Sequence, residues 1–511
     1  MSKTSAAAQQ EPSFGKIREA IWPIHGYEMK KFLPMCFIMF FVLFNYTVLR
    51  NVKDSLVVPA AGAEVISFLK FWGVTPVSIL FVIIYAKLSN VLSKENLFYA
   101  IIAPFLIFFA AFAFFVYPNK AMLHPDPQHI QVLMSEFQNL KYFIAIWGVW
   151  SYAIFYIMAE MWGSVVLTLM FWQFANDITR TNEAKRFYSM FGLIANVSLI
   201  FAGQLTKFFA KMEHIRPGDV DSWQTPQYYI ISMVVFAGLM IMAIYYWMNR
   251  NVLTDPFYYD QVKEESKSPK KSKPKMSVGE SFKYILSSPY LGFIALLVLA
   301  YGISINLVEV TWKSQVRALY PNPKDYSAFT GDISSWTGVA TMTIILMCKG
   351  VVRKFGWLTA AISTPIVIGI TGILFFAFVI FQDSLGFMVD WIGLAPLFLA
   401  ALLGGAQNIL SKGTKYSLFD PTKEMAYIPL DAEMKSKGKA AVDVVGGRLG
   451  KSGGGLIQQG LLLATAGTQL TIAPYVAIIM IVVTLAWMWA AGSLSVLYNR
   501  KIKEKEAEET K

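Results

Sequence analysis

The sequence predicts an all-α membrane protein with twelve transmembrane helices, and three observations lead to this fold class. Of its 511 residues, 55% are hydrophobic and only 15% are charged, whereas soluble domains carry about a quarter charged residues. The apolar residues form runs long enough to cross a bilayer, which takes about 20 residues in a helix. The net charge of +12 then indicates basic loops on the inner side of a membrane, and not a surface for nucleic acid.

The apolar runs fall into two sets. The first set lies near residues 32–57, 64–88, 96–117, 139–177, 185–210 and 226–249. The second set lies near residues 284–318, 327–349, 357–382, 388–411, 438–466 and 471–499. The run at 139–177 is long enough for one tilted helix or for a broken pair of helices. With both termini in the cytoplasm, most of the 45 Lys and Arg residues lie in inner segments, as the positive-inside rule requires.

Polar segments divide the chain into five parts. The predicted parts are a cytoplasmic tail (1–31), a six-helix bundle (32–249), a basic cytoplasmic linker (250–283), a second six-helix bundle (284–499) and a cytoplasmic tail (500–511). The linker contains KEESKSPKKSKPK, which is rich in Lys, Ser and Pro and has no apolar face. Such composition predicts a disordered connection between the two bundles.

A weak internal repeat relates the two bundles. Four residues of the first bundle recur 254 positions later in the second: Asp177, Lys185, Gly192 and Gln204 match Asp431, Lys439, Gly446 and Gln458. Lys53 and Lys313 are also similarly placed near the ends of the first and seventh runs. This pattern favours a duplicated six-helix unit, and therefore a major-facilitator-like architecture.

Charged residues inside the apolar runs are the best functional signal, because a charge at mid-bilayer costs about 2.5–3.5 kcal/mol and normally faces a wet cavity. Arg50 and Lys53 share a helix face, although snorkelling toward the interface is the alternative interpretation. Glu160 is the only acid in the apolar stretch 152–172, so it needs a cationic partner or a proton. Glu309 and Lys313 are four residues apart, which suits an ion pair or a phosphate contact at Lys313.

A glycine-rich stretch, KSKGKAAVDVVGGRLGKSGGGLIQQG, opens the eleventh run and carries Lys439, Asp443, Arg448 and Lys451. Its glycines allow close helix packing or close approach of a phosphate to the backbone. Part of it is similar to the phosphate-binding loop GxxxxGK[ST], but only three residues separate the glycines before Lys451. That loop also needs a preceding strand, so the sequence argues against ATP hydrolysis here.

Together these residues predict a wet, positive cavity and an anionic substrate, since clustered Lys and Arg suit phosphates. Aromatic rings at Tyr152, Tyr156, Trp162 and Trp312 could stack a base, although helix packing is the commoner role of such rings. The chain has only two cysteines and four histidines and no catalytic motif. An enzyme, a metal site and a bound cofactor are therefore not expected.

Four stretches resemble the non-mitochondrial ATP/ADP translocases of obligate intracellular bacteria and plastids. They are LRNVKDSLVV at 49–58, AEMWGSVVLTLMFWQFAND at 159–177, YGISINLVEVTWKSQVR at 301–317 and a longer one at 415–454. The last begins KYSLFDPTKEMAYIPLDAEMKSKGK and is the most specific of the four. The resemblance implies a twelve-span transporter that exchanges cytoplasmic ADP for external ATP, often with phosphate involved.

The resemblance also implies roles for paired Lys and Glu residues in the spans. These match Lys53, Glu160, Glu309 and a lysine of the eleventh span, for which Lys451 is preferred over Lys439. The predicted phosphate-binding cations are then Lys53, Lys451, Lys439, Lys313, Arg448 and Arg50. The predicted pairing carboxylates, which balance these cations in the empty carrier, are Glu160, Glu309 and Asp443.

The sequence and the resemblance together predict an ATP/ADP antiporter that imports host ATP by alternating access. ATP, ADP, inorganic phosphate and the bilayer are its expected partners, and no obligate protein partner is expected. No transit peptide is evident, which favours a bacterial inner membrane over a plastid envelope. The alternative is a proton-coupled importer of several nucleoside triphosphates, in which Glu160 or Glu309 carries the proton.

Overall fold

The computed structural model describes residues 22–212, 218–258, 288–348, 350–387 and 393–509, together with residues 18, 283 and 391. Several side chains between 181 and 189, between 432 and 451 and from 505 onward lie outside this description. Most of the predicted N-terminal tail and linker is outside it as well. The described chain is built from helices and contains no strand.

The first half of the described chain contains six long helices. They are α1 (Met29–Ala61), α2 (Val65–Val91), α3 (Lys94–Val116), α4 (Trp150–Ile178), α5 (Thr181–Ala210) and α6 (Gln224–Asn251). The second half contains six more: α7 (Pro289–Leu319), α8 (Pro323–Met347), α9 (Val351–Ile380), α10 (Pro396–Thr414), α11 (Ala432–Thr465) and α12 (Gln469–Glu509). Each helix overlaps one predicted apolar run.

Nine helices in the described part of the chain are long and apolar enough to cross a membrane. The helices outside this group are α8, α10 and α11, whose sequences carry more Ser, Thr, Gly and Lys. Polar helices of this kind are expected where they face other helices or a wet cavity and not lipid. The all-α membrane fold is therefore confirmed, and the count of twelve spans stays a prediction.

Local sequence explains where several helices begin and end. The side chains of Ser93, Asn322 and Asp431 each accept a hydrogen bond from a backbone N–H two or three residues further along. These bonds satisfy N–H groups that the first turns of α3, α8 and α11 leave unpaired. Gly62 has a φ of 96°, which only glycine adopts without strain, and it lets the chain reverse between α1 and α2.

The fourth predicted run is a broken pair and not a single helix. A short helix, Lys141–Gly148, is separated from α4 by Val149, whose φ of −126° and ψ of 39° are not helical. Within α4 the segment Gly163–Phe171 is π-helical. Further π-helical segments occupy Leu69–Val74 in α2 and Lys415–Phe419 after α10. Such segments often lie at functional sites.

Two central helices organise the bundle. In the first half α1 packs on α4, α5 and α6, and in the second half α7 packs on α10, α11 and α12. We call the end of the bundle where α1 begins and α12 ends the terminal end, and the opposite end the far end. The halves meet where α5 packs on α8 and where the far end of α2 packs on α11.

Glycine allows the closest of these approaches. A Cβ atom at Gly331 of α8 would lie 2.8 Å from the carbonyl oxygen of Gly203 in α5, and one at Gly338 would lie 2.6 Å from that of Asn196. Real Cβ atoms do not come this close to backbone oxygen, so α5 and α8 touch only because these positions lack side chains. Small residues are the usual way for membrane helices to pack closely.

Candidate substrate site between the two halves

Five charged side chains from α1, α4 and α7 meet between the two halves, and we call them the central cluster. They are Lys53, Asp54, Glu160, Glu309 and Lys313. Lys53 Nζ lies 2.8 Å from Asp54 Oδ1 and 3.0 Å from Glu160 Oε1. Lys313 Nζ lies 2.9 Å from Asp54 Oδ2 and 3.0 Å from Glu309 Oε1. Asp54 therefore joins the two lysines and, through Lys313, the two halves.

The lysines of the central cluster are buried, whereas two of its carboxylates face open space. The exposed fraction of the side chain is 2% for Lys53 and 4% for Lys313, against 28% for Glu160 and 23% for Glu309. Buried charges are tolerated only when they are paired, and here each lysine has two carboxylate partners. The ring of Tyr156 adds a cation–π contact, with its centroid 3.8 Å from Lys53 Nζ.

Three more cations surround the central cluster, and we call them the half-buried cations. They are Arg50 of α1, Lys70 of α2 and Lys412 of α10. Among the described side chains no carboxylate lies within ion-pair distance of any of them. Lys70 Nζ instead donates to Asn306 Oδ1 at 3.1 Å. Lys412 and Arg50 both interact electrostatically with Glu309 at longer range. Because no described carboxylate forms an ion pair with any of the three, each can offer its charge to an anion.

The structure brings together most of the charged residues that the sequence singled out in the spans. Arg50, Lys53, Glu160, Glu309 and Lys313 all lie in or beside the central cluster.

Of the predicted charged site residues, one lies elsewhere and three have side chains that are not described. Lys439 lies toward the terminal end of α11, where its Nζ is 2.5 Å from Glu424 Oε2. Burial raises the pKa of Glu424, but the hydrogen bond from Lys439 and the charge of Lys423 outweigh it and hold this pKa below its usual value. The side chains of Asp443, Arg448 and Lys451 lie outside the described residues.

Of the four aromatic residues predicted to stack a base, only Tyr156 lies at the central cluster. Tyr152 stacks on Tyr117 with centroids 5.9 Å apart, toward the far end of the first half. Trp162 is fully buried and its indole N–H donates to a carbonyl of α1 at 3.2 Å. Trp312 donates likewise to a carbonyl of α10 at 2.8 Å. Tyr152, Trp162 and Trp312 thus make contacts typical of helix packing, and base stacking by any of the four stays a prediction.

Sequence reasoning did not assign roles to Asp54, Lys70 and Lys412. Asp54 could have been found, since a third charge beside Arg50 and Lys53 in one apolar run is a visible signal. Lys70 and Lys412 lie near the ends of their runs, where a lysine ordinarily extends to the interface. In the described part of the chain no group of three His, Cys, Asp or Glu side chains could hold a metal ion.

The fold is similar to that of solved membrane transporters. A bacterial homologue of the iron transporter ferroportin, in an inward-facing state, aligns with a TM-score of 0.58 at 13% identity over 92% of this chain and 100% of its own. A D-xylose–proton symporter aligns with a TM-score of 0.56 at 12% identity, over 91% of this chain and 97% of its own. The helical architecture is therefore a major-facilitator-like fold.

Sequence comparison then gives the family. The family model described as TLC ATP/ADP transporter matches residues 7–498, and the chain belongs to this family. "ADP,ATP carrier protein 1" of Chlamydia pneumoniae is 50% identical over 504 residues, which are 98% of this chain and 97% of that protein. A carrier of the same name from Rickettsia bellii is 45% identical, over 96% of this chain and 98% of its own. "ADP,ATP carrier protein 1, chloroplastic" of Arabidopsis thaliana is 48% identical, over 94% of this chain and 76% of its own.

Proposed function

We propose that this protein exchanges ATP for ADP across a membrane by alternating access. The observation that carries the proposal is the balance of charge between the two halves. Five cations, counting the half-buried ones, surround three carboxylates, so the site has a net positive charge that suits a polyanion. The names of the relatives from Chlamydia, Rickettsia and Arabidopsis supply the nucleotide, which charge alone does not specify.

The ion pairs of the central cluster explain why transport would be an exchange. In the empty carrier, Asp54 and the two glutamates neutralise Lys53 and Lys313. Nucleotide phosphates bind the half-buried cations and compete with these carboxylates for the two lysines. Reorientation without nucleotide must break the pair between Asp54 and Lys313, after which the buried Lys313 keeps only Glu309 and the buried Asp54 keeps only Lys53. Buried charge that is less well compensated is costly. The halves therefore rock readily only when a nucleotide is bound.

We further propose the domain organisation and the orientation. The bundles 32–249 and 284–499 are the units that rock, and the linker 250–283 connects them on the cytoplasmic side. Arg448 and Lys451 of α11 extend the phosphate site. Both termini lie in the cytoplasm, as the positive-inside rule favours, and relatives in Chlamydia and Rickettsia support a bacterial inner membrane. External ATP then enters while ADP leaves.

Charge movement gives inorganic phosphate a role in this proposal. ATP carries one more negative charge than ADP, so each exchange moves one negative charge inward. Against an inside-negative potential this costs about 2.3 kcal/mol per 100 mV. A phosphate ion that leaves with ADP offsets the extra charge. The exchange rate is therefore expected to respond to an imposed potential when phosphate is absent, and to respond less when it is present.

The test is uptake of labelled ATP by proteoliposomes preloaded with ADP, with ADP and phosphate, with phosphate alone, or with buffer. We expect uptake only when ADP is inside and no change when a proton gradient is imposed. Lys53→Gln protein should lose most of this uptake, because the change leaves Glu160 and Asp54 without a shared cation. Uptake into buffer-filled vesicles driven by a proton gradient would overturn exchange and favour a proton-coupled nucleoside triphosphate importer.

A further inference from the structure

A network of hydrogen bonds joins the two halves beside the central cluster, and we call it the seam. Its members are Ser67 and Lys70 of α2, Asn306 of α7, and Gln458 and Gln459 of α11. Ser67 Oγ donates to Gln458 Oε1 at 3.1 Å, and Gln459 Nε2 donates to the Ser67 carbonyl at 2.7 Å. Gln458 Nε2 donates to the Asn306 carbonyl at 3.2 Å.

Lys70 is the one seam residue that carries a charge. Its ammonium donates to Asn306 Oδ1 at 3.1 Å, across the boundary between the halves. The Asn306 side chain is held in this orientation, because its Nδ2 donates to the carbonyl of Gly302 at 3.0 Å. A neutral amide leaves the charge of the ammonium group uncompensated, whereas a phosphate both accepts its hydrogen bond and neutralises its charge.

The position of Lys70 also places it within reach of the substrate site. It lies in the π-helical segment Leu69–Val74 and is half-buried, whereas Ser67 one turn earlier is fully buried. Lys70 interacts electrostatically with Glu309 and Glu160, the two carboxylates of the central cluster that face open space. It therefore borders both the seam and the central cluster.

We propose that Lys70 is a further phosphate contact, and that its hydrogen bond to Asn306 couples nucleotide binding to opening of the seam. The proposal rests on the proposed function, since it takes a nucleotide polyphosphate as the substrate. When the phosphates bind, the Lys70 ammonium leaves Asn306 Oδ1 and donates to a phosphate oxygen. Asn306 then loses the bond that tied it to α2, and a contact between the halves is removed at the moment the site is filled.

The other hydrogen bonds of the seam limit how far nucleotide binding weakens the contact between the two halves. The bonds made by Gln458 and Gln459 do not involve Lys70, so binding weakens the seam without dissolving it. A weakened seam shifts the population toward molecules that are open at the far end. A ligand can cause such a shift only if it binds the open state more tightly, and here the nucleotide does so because it contacts Lys70 better when that end opens. Substitutions at Lys70 therefore test the phosphate contact, and the substitutions of Asn306 by Ala and by Asp should change the distance between the halves in opposite directions.

The first measurement is ATP binding to the purified full-length protein in lipid nanodiscs. Lys70→Gln should weaken ATP binding about 10- to 100-fold, the range for loss of one hydrogen bond to a charged group. Lys87→Gln, which removes an exposed lysine from the same helix, should bind ATP as the wild type does. Asn306→Asp gives Lys70 a carboxylate partner that competes with phosphate, and it should also weaken binding.

The second measurement is the distance between spin labels at the far end, on Asn139→Cys and Ala464→Cys. Both positions are exposed, and Cys36 and Cys348 are replaced by serine. ATP should lengthen this distance in otherwise wild-type protein. Asn306→Ala should lengthen it without ATP, and Asn306→Asp should keep it short. Lys70→Gln also loses the bond to Asn306, so its distance without ATP should be longer than in the wild type. ATP, compared at equal occupancy, should lengthen it less.

The outcomes separate this inference from the proposed function. Wild-type protein that does not bind ATP would overturn the function itself. Wild-type protein that binds ATP while Lys70→Gln binds it equally well would overturn only the role of Lys70 as a phosphate contact. Asn306→Ala and Asn306→Asp that give the same label distance would overturn the coupling. A purely structural role predicts lower thermal stability for all three variants with ATP affinity unchanged.

Discussion

At the scale of single residues, the central cluster depends on one shared carboxylate. Asp54 is 5% exposed and lies within 3 Å of both Lys53 and Lys313. Each lysine has one further carboxylate partner, which is partly exposed and can be displaced from the lysine by a phosphate. Asp54 has no such freedom, because it lies between the lysines. It is therefore the residue whose loss leaves the most buried charge uncompensated.

Asp54→Asn and Lys313→Gln should each reduce stability by about 3–5 kcal/mol, the cost of breaking a buried pair from one side. The loss of stability in the double variant should be smaller than the sum of the losses in the two single variants. Each single variant leaves one charge of the pair buried without the other, whereas the double variant removes both charges. Thermal unfolding in detergent measures this coupling. Additive losses would show that the contact between Asp54 and Lys313 contributes nothing, and Lys87→Gln again serves as the control.

Part of this site could be predicted from the sequence, and the physical reason is burial cost. Lys53, Glu160, Glu309 and Lys313 stand out because a charge inside an apolar run requires a partner or a cavity. Lys412 does not stand out, since the predicted run ends at residue 411 and a lysine there fits an inner loop equally well. The pairing itself joins residues that are far apart in the chain, and no local pattern contains it.

At the scale of helices, π-helical segments lie beside three of the charged residues. Lys70 falls within one such segment, Glu160 precedes the segment Gly163–Phe171 by three residues, and Lys412 precedes Lys415–Phe419 by three. A π-helical turn rotates every residue after it relative to a regular α-helix. A sequence pattern of 3.6 residues per turn therefore places the residues that follow each π-helical segment on the wrong face of the helix. For this reason the faces of these helices could not be predicted from the sequence.

The contact between α5 and α8 leads to a second prediction. A Cβ atom at Gly203 would clash with the carbonyl oxygen of Gly331 and the hydroxyl of Ser335, whereas one at Gly192 of the same helix would meet nothing within 4 Å. Gly203→Ala should therefore cost about 1–3 kcal/mol of stability and slow exchange, because the two halves can no longer touch. Gly192→Ala should leave ATP uptake at its wild-type value and should not lower the melting temperature, because alanine favours a helix more than glycine does.

Equal behaviour of these two alanine variants would contradict the close contact of α5 and α8. A lower melting temperature of Gly203→Ala with an unchanged exchange rate would mean that this contact supports the fold but takes no part in transport. Both variants add a single methyl group to the same helix, so helix propensity affects them alike.

At the scale of the whole molecule, the helical architecture could be predicted and the arrangement of its halves could not. Hydropathy locates the spans because a bilayer leaves few alternatives to an apolar helix. Which end of the bundle is closed depends on a difference in free energy between two arrangements of the same helices. Here the far end is held by the seam and by Lys141 and Tyr142, which donate to backbone carbonyls of Ala466 and Gly467.

A disulfide across the far end tests whether transport requires this end to open. A Cβ atom at Gly455 of α11 would lie 3.9 Å from Ser67 Cβ of α2, within the range of about 3.5–4.5 Å that disulfides need. Ser67→Cys with Gly455→Cys, in protein lacking Cys36 and Cys348, should form this bond on mild oxidation. The oxidised protein should bind ATP from the terminal end but lose exchange, and reduction should restore it.

Exchange by the oxidised protein at the rate of the reduced protein would contradict alternating access through the far end. The single variants Ser67→Cys and Gly455→Cys, treated with the same oxidant, control for damage unrelated to the disulfide. Each of them should keep the exchange rate that it has before oxidation.

The length of α12 has a consequence outside the bilayer. Its 41 residues span about 60 Å at 1.5 Å per residue, roughly twice the hydrocarbon thickness of a membrane. Its last turns, where Arg500 pairs with Glu504, therefore extend into water as a stiff arm fixed to the second half. Any tilt of that half sweeps the tip of this arm through a wider arc than any point inside the bundle. A fluorophore attached to the end of α12 would therefore report each tilt of the second half during transport.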